Sequence, residues 1–177
     1  MPYRYFEDFA VGDTFPLPAR QIDQPELIAF AQEFVALPFA QDAEAAATDQ
    51  SNSAIASGWL VCAVFMRMFY DGVLAESSCL GAPGVDTLKW QRPVKPGDIL
   101  TGRTTVLETR SSRSRPDVGI LRLRQEVFDE AGEPVMWMEH PLLFGRRSAS
   151  GGEEGSSGLA GGEPTGRLRP DRDQELR

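Results

Sequence analysis

The sequence predicts an α+β fold in which an antiparallel sheet is wrapped around one long central helix. An almost uninterrupted apolar run, WLVCAVFMRMFYDGVL, follows Gly58 and is typical of a helix buried nearly all round. After GAPG at 81–84 the apolar residues recur with the period of strands. A helical first half followed by a strand-rich second half indicates that the sheet encloses the helix.

The chain before the central helix is predicted to contain one strand and two helices. VGD at 11–13 forms a turn ahead of a strand over residues 14–22. Asp23 is a suitable N-cap for a helix of about three turns. The apolar face of that helix is expected to consist of Leu27, Ile28, Ala31 and Phe34. Asp42 can cap a second, short helix over Ala43–Ala47.

Four strands are predicted in the second half of the chain. They are Val85–Arg92, Ile99–Arg110, Gly119–Asp129 and Glu133–Phe144. Turns are expected at 96–98 and 130–133, and a longer, basic hairpin loop at 111–119. His140, the one histidine of the chain, lies in the last strand and is expected to face solvent or a partner chain.

Composition indicates one globular domain over residues 1–147. The tail, residues 148–177, is predicted to be disordered because Gly, Ser and Glu dominate it. A membrane span is not expected, since no run of about 18 apolar residues occurs. The net charge of −8 argues against non-specific nucleic-acid binding. Two cysteines without metal-ligand spacing, and no visible signal peptide, favour the cytoplasm. No cofactor or metal is expected.

Four motifs follow one another along residues 3–147. They are YFEDFAVGD near the start, IASGW before the central helix, GVDTLKWQRPVKPGD after it, and TRSSRSRPDVG before a strand. In this order they resemble the MaoC-like, R-specific enoyl-CoA hydratase family, which has the hot-dog fold. The resemblance implies a thioester of coenzyme A or acyl carrier protein as ligand. It also implies a homodimer, or a heterodimer with another hot-dog subunit.

Members of that family hydrate trans-2-enoyl thioesters, or dehydrate R-3-hydroxyacyl thioesters, with an Asp and a His five residues apart. The resemblance places this motif on residues 35–42, VALPFAQD. Val35 then stands at the acid position and Ala40 at the histidine position, and neither side chain can transfer a proton. Asp42 is the nearest remaining acid. The glycine whose N–H stabilises the thioester oxyanion corresponds to Gly58.

Further binding residues are expected at two places. Ser57 and Trp59 flank Gly58 and are candidates for thioester contacts, although a capping role for Ser57 is the simpler interpretation. Arg113 and Arg115 are candidates for contacts with coenzyme A phosphates, or else belong to a solvated hairpin tip. The same phosphate-binding role is open to Lys89, Arg92 and Lys95.

Three functions remain open at the level of the sequence. The first is a degenerate or non-catalytic hydratase homologue that binds acyl-CoA, or serves as a partner subunit of an active one. The second is an active hydratase or dehydratase that uses displaced groups such as Asp42 or Glu44. The third is a hot-dog thioesterase, which usually has a carboxylate near the central helix; residues 55–70 contain none.

Overall fold

The structure, a computed structural model, describes residues 3–35 and 55–147. Its elements are a 3-10 turn (Phe6–Asp8), strand β1 (Thr14–Gln21), helix α1 (Gln24–Phe30), helix α2 (Gly58–Phe69) and strands β2 (Cys79–Gly81), β3 (Thr87–Trp90), β4 (Ile99–Ser111), β5 (Val118–Phe128) and β6 (Pro134–Gly145). The helices continue in π-helical turns over Ala31–Val35 and Tyr70–Leu74. The predicted helix at 43–47 and the tail at 148–177 lie outside the described residues.

One antiparallel sheet of six strands contains the order β1-β4-β5-β6-β2, and β3 also pairs with β6. Along β5 and β6 nearly every second side chain is buried, so one face of the sheet forms the core and the other remains partly exposed. The core-facing side packs against α2, with Phe65 and Phe69 of the helix completely buried. The predicted α+β architecture, a sheet wrapped around a central helix, is confirmed.

Helix α2 buries one side and exposes the other. Its buried side chains are Leu60, Val61, Val64, Phe65, Met68 and Phe69. Trp59, Met66 and Tyr70 are 64%, 46% and 49% exposed, and their spacing of seven and four residues places them on one face. The prediction of burial nearly all round is therefore wrong for this face, because the sheet covers only one side. No described helix is long and apolar enough to cross a membrane.

Helix α1 begins after Asp23, as predicted, but the Asp23 side chain makes no capping hydrogen bond. Leu27 and Ala31 are buried, whereas Phe34 is 65% exposed and packs against Phe30 with ring centroids 4.9 Å apart. The predicted place of Phe34 on the buried face is wrong. The physical reason is the π-helical turn that begins at Ala31, since its wider turn rotates the following residues away from the α-helical face.

Candidate functional site

A surface cleft of about 430 Å³ lies where the N terminus of α2 meets β3 and the chain that follows it. Its lining residues are Ala56, Gly58, Trp59, Val61, Trp90, Gln91, Arg92, Pro93 and Val94. This volume falls within the range of small-molecule sites, roughly 300–1,000 Å³. Because most of the lining is apolar and Arg92 is its one charged residue, the cleft suits an apolar ligand with few polar contacts.

Trp90 lies directly over Gly58. The indole Nε1–H of Trp90 donates a hydrogen bond to the carbonyl oxygen of Gly58, with a nitrogen–oxygen distance of 3.0 Å. A Cβ atom added to Gly58 would lie 2.5 Å from the indole, so only glycine fits under this ring. Trp59 completes the aromatic wall, edge-to-face with Trp90 at a centroid distance of 5.4 Å. Gly58 therefore has a packing role that is independent of any thioester.

Ser57 caps the start of α2. Its Oγ accepts a hydrogen bond from the backbone N–H of Trp59 at 3.3 Å, and its carbonyl oxygen accepts one from Val61 at 3.1 Å. The N–H of Gly58 precedes the first intrahelical hydrogen bond and has no acceptor within the described part of the chain. It is therefore available to a ligand oxygen at the positive end of the helix dipole.

Acid–base groups do not line this cleft among the described residues, since its lining contains no His, Asp or Glu. Val35, which the sequence resemblance assigns to the acid position, ends the π-helical turn after α1 and is half-buried. Ala40, which the resemblance assigns to the histidine position, and Asp42, the candidate displaced acid, lie outside the described residues. Within the described ranges, no group of three or more His, Cys, Asp or Glu residues is arranged to hold a metal ion.

The candidate phosphate-binding residues Arg113 and Arg115 lie far from this cleft. They belong to the loop between β4 and β5, and β5 begins opposite Gly145 at the end of β6. Trp90, in contrast, pairs with Met136 near the start of β6. Nine residues of β6 separate these points, which corresponds to about 30 Å along the strand. The structure does not bring the two arginines to the cleft of their own protomer.

His140 is only 4% exposed, so the expectation that it faces solvent or a partner chain is wrong. The alternation of β6 places it on the core face with Met138 and Leu142. Its Nε2 lies 2.8 Å from Gln125 Oε1, and its Nδ1 lies 3.3 Å from the carbonyl oxygen of Pro141. Burial lowers the pKa of His140 because desolvation penalises the imidazolium ion, so the buried ring is held neutral.

The Gln125 amide explains how a neutral His140 is satisfied. A neutral imidazole carries one N–H, whereas Gln125 Oε1 and the Pro141 carbonyl oxygen are both acceptors. Reversing the amide lets Gln125 Nε2 donate to His140 Nε2 while Nδ1–H donates to Pro141. The reversal places Gln125 Oε1 in the buried position that has no hydrogen-bond partner. His140 is thus a hydrogen-bonded core residue, and it does not line the cleft.

The curved antiparallel sheet around α2, with a cleft at the helix start, defines a hot-dog protein. Among solved structures, a MaoC-like dehydratase from Rhodospirillum rubrum is 34% identical with a TM-score of 0.70, over 82% of this chain and 99% of that chain. The chain therefore belongs to the MaoC-like dehydratase and R-hydratase family. None of the protein-family models compared with the chain matches it.

Two further solved structures resemble the chain. The R-hydratase PhaJ1 from Pseudomonas aeruginosa is 25% identical with a TM-score of 0.63, over 88% of this chain and 97% of that chain. The HadBC complex, a 3R-hydroxyacyl-ACP dehydratase from Mycobacterium tuberculosis, contains a similar chain at 21% identity and a TM-score of 0.54, over 75% and 96%. At that identity the second likeness concerns the fold alone.

Replacing Gly58 with alanine is expected to lower the free energy of unfolding by about 1–3 kcal/mol, because the new methyl group collides with the Trp90 indole. In a Trp90→Ala background the same replacement is expected to cost little or nothing, since the obstructing ring is gone. Urea denaturation of the four proteins measures this coupling. Gly84→Ala is the control, because its Cβ meets open space. Equal costs in both backgrounds would contradict the packing role of Gly58.

Protonation of His140 is expected to destabilise the protein as the pH falls below about 6.5. Because the pKa of His140 is lowered in the folded state, the unfolded chain binds a proton that the folded chain does not. The free energy of unfolding therefore decreases with falling pH until the folded-state pKa is passed. Urea denaturation between about pH 5.5 and 7.5 measures this slope. His140→Gln is expected to flatten it, and an unchanged slope in that variant would assign the effect to another group.

Proposed function

We propose that the protein binds an acyl thioester, carried by coenzyme A or acyl carrier protein, in the cleft beside Gly58 without hydrating it efficiently. It is a degenerate hydratase or dehydratase homologue, acting alone or as the partner subunit of an active enzyme. The observation that carries this proposal is an apolar cleft at a helix N terminus combined with apolar residues, Val35 and Ala40, at both proton-transfer positions.

Thioester binding is supported by the chemistry of the helix start. A thioester oxygen gains negative charge when the α carbon is activated, and a helix N-terminal N–H stabilises such charge. The free N–H of Gly58 lies beside an apolar wall formed by Trp59 and Trp90, which suits the acyl chain. One such donor contributes roughly 10²–10³-fold to a rate. It can polarise a thioester but cannot move a proton.

Inefficient turnover is supported by the apolar residues at the two positions that the resemblance assigns to proton transfer. Each positioned acid or base typically contributes about 10²–10⁴-fold, so losing both costs most of the acceleration. The same lack of carboxylates among the described lining residues gives no support to a thioesterase mechanism. A hydratase with displaced groups would have to recruit its acid from outside that lining, with Asp42 as the candidate.

The purified protein is expected to bind crotonyl-CoA saturably in isothermal titration calorimetry while forming no 3-hydroxybutyryl-CoA at ordinary hydratase rates. Trp59→Ala is expected to weaken binding because it removes part of the cleft wall. Leu107→Ala, on an exposed part of β4, is the control and should bind normally.

Hydration of crotonyl-CoA at ordinary hydratase rates would contradict the non-catalytic part of the proposal. In that case Asp42→Asn distinguishes the second hypothesis, because loss of the activity would identify Asp42 as a displaced acid or base. Release of free thiol from acyl-CoA substrates would instead favour a thioesterase.

Association with a second hot-dog subunit is the remaining part of the proposal, and the two edges of the sheet support it. The β1 edge contains Pro16 and Pro18, which lack N–H donors and disfavour the addition of another strand. The β3 edge has no proline within Thr87–Trp90 and pairs with β6 on one side only. The sheet can therefore be extended at β3, where unpaired backbone groups remain.

The backbone groups of β3 that face outward can be assigned from the register. Trp90 pairs with Met136, and the N–H of Gln91 donates to the carbonyl oxygen of Val135 across that pair. By the alternation of antiparallel ladders, the N–H and C=O groups of Trp90 and Leu88 then point away from β6. The exposed face of α2 adjoins this edge through the contact between Trp59 and Trp90. An apolar face beside an open edge suits a protein partner.

Self-association through β3 predicts a specific crosslink. Of the two outward-facing residues of β3, Leu88 lies nearer the middle of the strand, and we place the two-fold axis there. The two copies of Leu88 are then opposite each other. Thr87 lies opposite Lys89 of the partner subunit, which separates the two lysines. Hydrogen-bonded antiparallel pairs have Cα atoms about 5.5 Å apart, within the range of disulfides. Leu88→Cys is therefore expected to form a disulfide-linked dimer under mild oxidation, detected by non-reducing electrophoresis.

Lys89→Cys is the matched control, because its expected neighbour is Thr87 and two identical cysteines would not meet. The unmodified chain, with free Cys62 and Cys79, gives the background. If the protein sediments as a dimer but the Leu88→Cys variant forms no disulfide-linked dimer, the pairing of Leu88 with Leu88 of the partner subunit is contradicted. A monomer in sedimentation would contradict self-association.

A further inference from the structure

Arg92 is the one charged side chain among the described residues that line the cleft. It follows Trp90 by two residues, and its side chain is 49% exposed. The net charge of the chain is −8, so an anionic ligand is repelled by the protein as a whole and needs a local cation. A guanidinium group suits this role because it forms two parallel hydrogen bonds with a carboxylate or a phosphate.

Two acidic residues of the turn between β5 and β6 contact Arg92 in the absence of a ligand. Arg92 Nη2 donates to Glu133 Oε2 at 2.9 Å, and Nη1 lies 3.7 Å from Asp129 Oδ2. Asp129 is held in place, since its Oδ1 accepts hydrogen bonds from the backbone N–H groups of Ala131 and Glu133. The Glu133 side chain is 52% exposed, and exposed ion pairs contribute little to stability. Glu133 is therefore the partner that a ligand can displace.

We propose that Arg92 recognises the anionic group of the ligand in this cleft, and that Glu133 competes with the ligand for Arg92. This inference rests on the proposed function and adds the chemistry of its polar contact. The anionic group is either a phosphate of the carrier or a carboxylate on the acyl chain. Asp129 keeps the guanidinium group oriented while Glu133 gives way.

Several other cations of the described residues are less suited to this role. Lys89 adjoins Trp90 in β3, so it points to the opposite face of the sheet from the cleft. The arginines on the outer face of the sheet, Arg103, Arg122 and Arg124, form ion pairs as Arg92 does, but none of them lines the cleft. Arg113 and Arg115 lie beyond the far end of β6.

Three thioesters test this inference by titration calorimetry with the full chain. Crotonyl-CoA carries phosphates, S-succinyl-N-acetylcysteamine carries only an acyl carboxylate, and S-crotonyl-N-acetylcysteamine carries no anionic group. Arg92→Gln is expected to weaken binding of the recognised anionic thioester at least about fivefold, and Glu133→Gln to strengthen it. Neither change should affect the neutral thioester. Arg103→Gln removes a similarly exposed, carboxylate-paired arginine from the outer face of the sheet; it is the control and should bind like the unmodified chain.

The gain from Glu133→Gln keeps the test independent of folding, because a misfolded variant does not bind more tightly. If Arg92→Gln weakens only crotonyl-CoA, the recognised group is a carrier phosphate; if it weakens only the succinyl thioester, the group is an acyl carboxylate. If the unmodified chain binds a thioester and neither Arg92→Gln nor Glu133→Gln changes its affinity, this inference alone is overturned. An unmodified chain that binds none of the three thioesters overturns the proposed function, and this inference with it.

Discussion

The burial of α2 is the constraint on which the rest of the structure depends. Six large apolar side chains face the sheet, and each stabilises the fold by about 1.5–3 kcal/mol when it is removed from water. The sheet has to curve around the helix to cover them, and β4, β5 and β6, with 13, 11 and 12 residues, are long enough to do so. The Trp90–Gly58 hydrogen bond then fixes the helix start against β3. The cleft is therefore placed by core packing.

Much of the fold is predictable because its signals are local. The apolar run after Gly58 identifies the central helix, and the turns at Gly97 and Gly132 need positive φ angles of 93° and 77°, which glycine adopts readily. The strand expected over 85–92 is shorter, Thr87–Trp90, because its ends leave the β6 ladder. Strand β2, Cys79–Gly81, was not predicted, because three residues carry no detectable period. The π-helical turns likewise have no sequence signal.

Those parts of the site that adjacent residues of the chain form can be predicted from the sequence. Those parts that depend on which strand residues pair with each other cannot. The helix start is recognisable from Ser57 and Gly58, which adjoin along the chain. Arg92 lies beside the cleft and Arg113 does not, because strand pairing, which the sequence does not reveal, decides where each charge is placed. His140 shows the same limit. In MWMEHPLLF apolar residues occur at both odd-numbered and even-numbered positions. The sequence pattern therefore does not show which of the two sets of side chains faces the core.

Gly58 has one observed role in packing and one proposed role in ligand binding, and the two use different atoms. Packing under the Trp90 indole requires the missing Cβ and uses the carbonyl oxygen, whereas a thioester would use the N–H. Ser57 leaves that N–H free because its Oγ caps Trp59 instead. The two roles do not compete, so packing under Trp90 leaves the N–H of Gly58 accessible to the proposed ligand. A thioester-binding protein without hydratase activity is therefore physically consistent with every contact at this helix start.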